Sequence, residues 1–268
     1  MALLNENLIP VPDISFPRER TKVVSASSYT TTYYKLDYNL MYFQREHAWT
    51  PGTREVDAFG RVWSLAITNL ASGTLAAHRK GRRIELAGLM GIFIPPFSIV
   101  EWEINKDFIV WQGYLSESEI PSDLPSEPVA FPWRGPLPVS LDQVFAHVRE
   151  SENKIAVGKL ETPSKLAKRT RQLMTQNIWE PLSIKDISES LGCSHAAMTR
   201  AFKKAYGITP VGYRNKMRIF DAAGMLALYD QAVNHTAHAL GFKHLRQFNK
   251  QFKRYVNAAP SQYRGPDQ

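Results

Sequence analysis

The 268-residue chain reads as an α+β protein, with a strand-rich N-terminal part followed by an all-helical C-terminal part that holds two helix-turn-helix units. Three observations lead there. Residues 31–115 carry short runs rich in Tyr, Trp, Val and Ile between turn signals, the pattern of a small sandwich or barrel. From Pro163 onward apolar residues recur at helical spacing almost without interruption. Within that helical stretch a phrase repeats. Phe202-Lys203-Lys204, Pro210 and Tyr213-Arg214 return as Phe252-Lys253-Arg254, Pro260 and Tyr263-Arg264 with the same internal spacing.

Taken in order, residues 1–30 contain Pro10, Pro12 and Pro17, show no periodicity, and are expected to form an arm. Val62–Thr68, Gly91–Ile94 and Phe108–Tyr114 are strand candidates, with Pro51-Gly52 and Ser72-Gly73 among the turns. Pro121, Pro125, Pro128, Pro132, Pro136 and Pro138 exclude a long helix from residues 116–138. Leu141, Val144, Phe145 and Val148 then predict an amphipathic helix over 140–152, which either packs on the barrel or makes a dimer contact. Lys154–Ser164 is polar and reads as a linker. The expected domains are therefore 1–138, a helix and linker at 139–162, and 163–268.

In the helical part Leu166, Thr170, Leu173 and Ile178 share a face that ends before Pro181. Ser183 can cap the next helix, with Asp186 near its positive end and Ile187 and Leu191 facing inward. Gly192 suits the left-handed turn that ends it. Ser194 caps a helix running through Met198 and Phe202 to Gly207. Thr209-Pro210 opens another, whose Tyr213, Met217, Phe220 and Gly224 carry it to about Leu228, roughly 27 Å. Val233, Ala237, Leu240 and Gly241, then Leu245, Phe248 and Phe252, repeat the first unit.

Composition narrows the function. Hydrophobic content of 44% and six Trp fit a folded chain. Residues 163–268 hold 17 Lys/Arg against 6 Asp/Glu, a net of +11, while residues 1–162 hold 16 against 19, a net of −3. The basic half is suited to a polyanion. One Cys excludes an intrachain disulfide framework, and Cys193 reads as packing. The start lacks a signal-peptide pattern, and Leu86–Val100 is broken by Pro95-Pro96, so a cytoplasmic protein with no membrane span is expected. Phosphate-loop and nucleophile-elbow motifs are absent. His47 and His78 stand apart, and His235 and His238 belong to the repeat's first helix, so no enzyme, metal site or cofactor is expected.

In each unit a small residue, Ser188 or Ala237, precedes the turn glycine by four. That lets the second helix cross close over the first and present its polar face to a DNA major groove. The outward positions are His195, Ala196, Thr199, Arg200, Lys203 and Lys204 in the first unit. In the second they are Arg246, Gln247, Asn249, Lys250, Lys253 and Arg254. Arg and Lys suit guanine, Asn and Gln suit adenine, and Ala or Thr can touch a thymine methyl. The spacer helix approaches the separation of about 34 Å between successive major grooves on one DNA face.

The lines SIKDISESLGCSHAAMTRAFKKAYGITPVGYR and TAHALGFKHLRQFNKQFKRYVNAAPSQYR make residues 165–264 resemble the two-module DNA-binding domain of the AraC/XylS family of bacterial transcription regulators. The resemblance implies that Ala196, Thr199, Arg200, Arg246, Asn249 and Lys250 read bases. It leaves His195, Lys203, Lys204, Gln247, Lys253 and Arg254 for phosphates and other contacts. Thr236, Ser188 and Asn257 depart from the family's usual Ile, Ala and Gly. The text around Gly88–Val100 resembles a cupin-type barrel that binds an effector and supports dimerisation, giving an N-terminal cupin-like β-barrel. Tyr42, Trp63, Trp102 and Trp111, with Phe43, either line a pocket there or fill its core. The partners so implied are double-stranded DNA, RNA polymerase, a small-molecule effector and a second copy of the chain.

Overall fold

The computed structural model describes residues 20–159, 163–176, 182–229 and 231–263. Ten strands form one antiparallel sheet: β1 (Arg20–Ser25), β2 (Tyr29–Asp37), β3 (Leu40–Ala48), β4 (Thr53–Ala58), β5 (Trp63–Arg79), β6 (Arg82–Ile94), β7 (Ile99–Ile104), β8 (Phe108–Ser116), β9 (Val129–Pro132) and β10 (Ile155–Ala156). The main path runs β1-β2-β3-β8-β5-β6-β9-β10, with β7 joining β4 to β5. The long β5 gives the sheet its bend. Its first half pairs with β8, its register shifts between Leu70 and Leu75, and its second half pairs with β7. A bulge of this kind kinks a strand and lets one sheet wrap a core.

The three strand runs read from sequence fall in β5, β6 and β8. Two readings are corrected. Residues 20–30 are not an arm: they form β1 and the start of β2, which pair from Ser25↔Thr30 back to Arg20↔Tyr34. The linker stretch carries β10, which pairs with β9 through Ile155↔Ala130. Residues 1–19, where the rest of the arm was expected, lie outside the described residues. So do residues 160–162 of the linker, Ile178 and Pro181 at the end of the first helix, and Arg264 of the repeat.

Helix α1 (Leu141–Glu150) starts at Ser140, whose side chain accepts from the Gln143 N–H. Val144, Phe145 and Val148 are buried against Tyr42, Trp63, Phe93 and Phe131, so α1 covers one face of the sheet. This is the packing role read from sequence.

The remaining helices are α2 (Lys165–Gln176), α3 (Ile184–Ser190), α4 (His195–Tyr206), α5 (Pro210–Tyr229), α6 (Val233–Ala239), α7 (Leu245–Val256) and α8 (Pro260–Tyr263). They do not form a separate bead. Val24, Tyr29, Tyr33, Met41 and Phe43 of the sheet, with Val62 just before β5, share one hydrophobic core with Ile219, Leu226, Phe248, Phe252 and Tyr263. Ala58 and Ile99 share another with Met174, Phe202 and Met217. Helix α5 is consequently buried nearly all round, with even Lys216, Arg218 and Asp221 out of solvent. No helix among the described residues is long and apolar enough to cross a membrane.

Candidate nucleic-acid interface

The two helical units are built alike down to single hydrogen bonds. In the first, the Gly192 N–H bonds Glu189 O at 2.9 Å and the Cys193 N–H bonds Ser188 O at 3.1 Å. In the second, the Gly241 N–H bonds His238 O at 2.9 Å and the Phe242 N–H bonds Ala237 O at 3.0 Å. Both glycines have positive φ, 61° and 73°, the left-handed conformation that costs a glycine least. Ser188 and Ala237 are buried where the helices cross. Phe202 packs on Tyr213 with ring centroids 5.4 Å apart, and Phe252 on Tyr263 at the same distance. The repeated Phe and Tyr therefore form the inner seam that holds each second helix to the helix after it.

The units differ in one detail. Three residues separate Gly192 from the first residue of α4, counting that residue; four separate Gly241 from the first residue of α7. Phe242, directly after Gly241 as Cys193 is after Gly192, lies in the core, and the longer turn leaves His244 rather than a Ser before the second helix. Ser194 caps α4 by accepting from the Ala197 N–H, whereas His244 stands at the start of α7 with no side-chain cap bond. The Gln247 N–H, which such a cap would take, bonds the His244 carbonyl at 3.0 Å instead.

On α4 the side chains of His195, Ala196, Arg200, Lys203 and Lys204 are exposed. Thr199 is half-buried and its hydroxyl oxygen is out of solvent with no hydrogen-bond partner. That oxygen reaches a base edge only after its side chain rotates. On α7 Arg246, Gln247, Asn249, Lys250, Lys253 and Arg254 are all exposed. Neither helix carries a carboxylate. Sequence reading missed Leu245, which is 42% exposed on the first turn of α7. Counted back from the repeated Phe, it takes the place of the exposed His195, seven residues before Phe252 as His195 is before Phe202, and there an apolar side chain can meet a thymine methyl.

The four aromatic candidates for an effector pocket do not stay together. Trp102 and Trp111 line a cavity of about 600 Å³ bounded by the sheet and by α5, α7 and α8. Tyr42 and Trp63 lie on the other side of the sheet, in the core under α1. Successive residues of a strand face opposite ways, so Tyr42 and Phe43 on β3 cannot line one cavity. It is Phe43, with Arg45 and His47, that faces it.

Arg45 brings a positive charge to the cavity, whose lining also includes Glu55, Asp57, Lys216 and Arg254. The Arg45 Nε donates to Thr31 Oγ1 at 2.7 Å, its Nη2 to the Tyr33 hydroxyl at 3.4 Å, and its guanidinium lies 4.7 Å from the centre of the Tyr29 ring. No carboxylate pairs with it among the described residues. Burial and the nearby Arg45 charge push His47 down to about 3, so it stays neutral. Burial, with Asp57 beside it, pushes Glu55 on the same wall up to about 7. No group of three or more His, Cys, Asp or Glu suited to a metal occurs among the described residues.

The match to a family model falls on the helical half. Residues 187–265 match the model of a helix-turn-helix domain. HptR, a transcriptional regulatory protein of Staphylococcus aureus, is 32% identical over 90 residues, which are 33% of this chain and 34% of HptR. The chain thus spans about a third of the length of such curated relatives. The C-terminal domain of AraT, a response regulator from Geobacillus stearothermophilus, is similar at 25% identity over 39% of this chain and 87% of that one, with a TM-score of 0.37. ToxT from Vibrio cholerae aligns over 88% of this chain and 98% of its own at 14% identity, with a TM-score of 0.45.

The helical region is a tandem helix-turn-helix domain. Its repeated phrase resembles the AraC type.

Proposed function

We propose that the chain is a sequence-specific DNA-binding transcription regulator, acting in the cytoplasm and without enzymatic activity, whose barrel takes a small-molecule effector. The observation that carries this reading is the pair of exposed, carboxylate-free basic helices α4 and α7, each following a left-handed glycine turn and joined by α5. At 20 residues α5 is about 30 Å long, close to the spacing of successive major grooves. Ala196, Thr199, Arg200, Arg246, Asn249 and Lys250 are the proposed base readers, joined now by Leu245. The other exposed cations would hold phosphates and supply salt-sensitive affinity. RNA polymerase and a second copy of the chain are the proposed protein partners.

The cavity beside Arg45 is the proposed effector site. A guanidinium held by neutral hydroxyls and aromatic rings, with no carboxylate paired to it among the described residues, favours an acidic ligand group, and the flanking Trp102, Trp111 and Phe43 favour an apolar body. The direct test is selection of bound sequences from a random duplex pool by the full chain. Enrichment of a site with two half-sites about one helical turn apart is expected; recovery of unenriched DNA would end the regulator reading.

A further inference from the structure

Helix α5 is tied to the barrel by polar contacts at three positions five residues apart. Lys216 Nζ donates to the Val56 carbonyl at 2.7 Å and pairs with Asp57 at 2.6 Å. Lys22 Nζ, from β1, donates to the Leu226 carbonyl at 2.7 Å. Midway between them, Asp221 enters the loop that precedes β5. Its Oδ1 accepts from the main-chain N–H groups of Arg61 at 2.6 Å and Val62 at 3.1 Å.

This seat is specific and costly. Asp221 is fully buried and its Oδ2 has no hydrogen-bond partner. Gly60 makes room for it: a Cβ at that position would lie 2.2 Å from three atoms of the carboxyl group. A joint meant only to be tight would be better sealed by an amide or an apolar side chain, since a buried charge held by amides alone is expensive. The charged groups that bear on Asp221 from neighbouring elements are Glu117, just past β8, and Arg61 on the loop itself. Tyr229, two turns further along α5, also lies beside Glu117.

We propose that Asp221 is a proton-operated latch: seated in the Gly60–Val62 loop it holds α5, and the two helix-turn-helix units built on α5, against the barrel while its carboxyl is protonated, and it loosens when the carboxyl ionises. The regulator reading above supplies the latch's purpose, but the latch itself stands on the joint between barrel and helix.

The sign follows from the direction of the shift. Burial pushes the Asp221 carboxyl from the ordinary 3.8 up to about 7, against the opposing hydrogen bonds from Val62 and Arg61 and with a smaller push from Glu117. The seated form therefore holds its proton more tightly than a released, solvated form. Closure is strongest below about 4, weakens as pH rises toward about 7, and stays at its weakest above that. The closed-to-open ratio falls by at most about tenfold for each pH unit within the window.

The experiment uses the full chain at pH 5.5 to 8.5, with small-angle X-ray scattering for closure and the NMR shifts of the Arg61 and Val62 amides for the seat. The wild type is expected to expand with rising pH while both amides titrate together. Asp221→Asn keeps the oxygen acceptor and cannot ionise, so it should stay closed with flat profiles. Gly60→Ala evicts the carboxyl, so it should be expanded at every pH. A flat wild type, an Asp221→Asn profile that tracks the wild type, or a Gly60→Ala chain as closed as the wild type at pH 6 would each overturn the latch. Duplex binding is measured on the same samples. A latch that titrates in a chain that binds no DNA would sink the regulator reading and leave the latch standing.

Discussion

The hydroxyls of Tyr29 and Tyr263 lie 2.7 Å apart, joining the second strand of the barrel to the last helix of the second unit. Tyr29 also donates to the Val256 carbonyl at 2.7 Å, so Tyr263 is the donor between the two phenols. Tyr213 holds the equivalent place in the first unit, where its ring is flanked by Arg171 of α2 rather than by the barrel. The repeated Tyr thus serves its own module in one copy and the joint between domains in the other.

Removing these hydroxyls should have unequal costs. Tyr263→Phe deletes one donor and leaves the Tyr29–Val256 bond in place; a loss of about 1 kcal/mol is expected. Tyr29→Phe takes the donor from the Val256 carbonyl and the acceptor from the Tyr263 hydroxyl, which keeps Tyr33 beside it, and about 2 kcal/mol is expected. Urea unfolding of the two variants, read by Trp fluorescence, checks the order; equal losses would contradict the assigned donor directions.

Thr236 is buried and its hydroxyl has no hydrogen-bond partner. Thr236→Val keeps the shape and removes the stranded polar group, so a gain of about 1 kcal/mol in stability is expected. A thermal melt showing no change or a loss would mean that the hydroxyl is satisfied in solution.

Arg246 and Lys204 are both exposed cations, and their proposed roles differ. Arg246→Ala should cost about 1–3 kcal/mol on the preferred site and relax the base preference at one position. Lys204→Ala should weaken every duplex alike and lower the slope of log K against log salt by about one. Gel shifts on matched and scrambled duplexes at several salt concentrations separate the two; a uniform loss from both variants would remove Arg246 from the readers. Leu245→Ala should lower affinity only for sites with thymine at its contact position.

Arg45 should decide which compounds the cavity takes. Arg45→Met retains the stem of the side chain and removes the charge, so aromatic carboxylates that raise the melting temperature of the wild type should lose that effect. Their uncharged amides should be indifferent to the change. Equal stabilisation of wild type and variant by the acids would place the acid group elsewhere.

Much of the helical half was legible because its signals are local. Ser183, Ser194 and Gly192 mark helix ends through main-chain bonds to residues within five positions, and the repeat doubles each signal. The extra turn residue in the second unit was also present in the text, as a 49-residue offset between the glycines and a 50-residue offset between Phe202 and Phe252. Counting from Phe252 rather than from Gly241 sets Leu245 opposite His195, on the outward face. The pocket was half legible. Trp102 and Trp111 were found as aromatics, but both faces of β3 are covered, so apolar character did not say which way Tyr42 or Phe43 points.

By itself the sequence determined the twin modules, their outward basic faces and the strand-rich character of the first half, because caps, glycine turns and side-chain periodicity act over a few residues. Only the tertiary structure decided that the modules share cores with the barrel, that Arg45 faces a cavity, and that Asp221 sits under Gly60. Those pairings join residues about 160 or more positions apart, as in Asp221 with Arg61 and Tyr29 with Tyr263. They form where packing of α5 and α8 on the sheet excludes water, and no local pattern encodes that meeting.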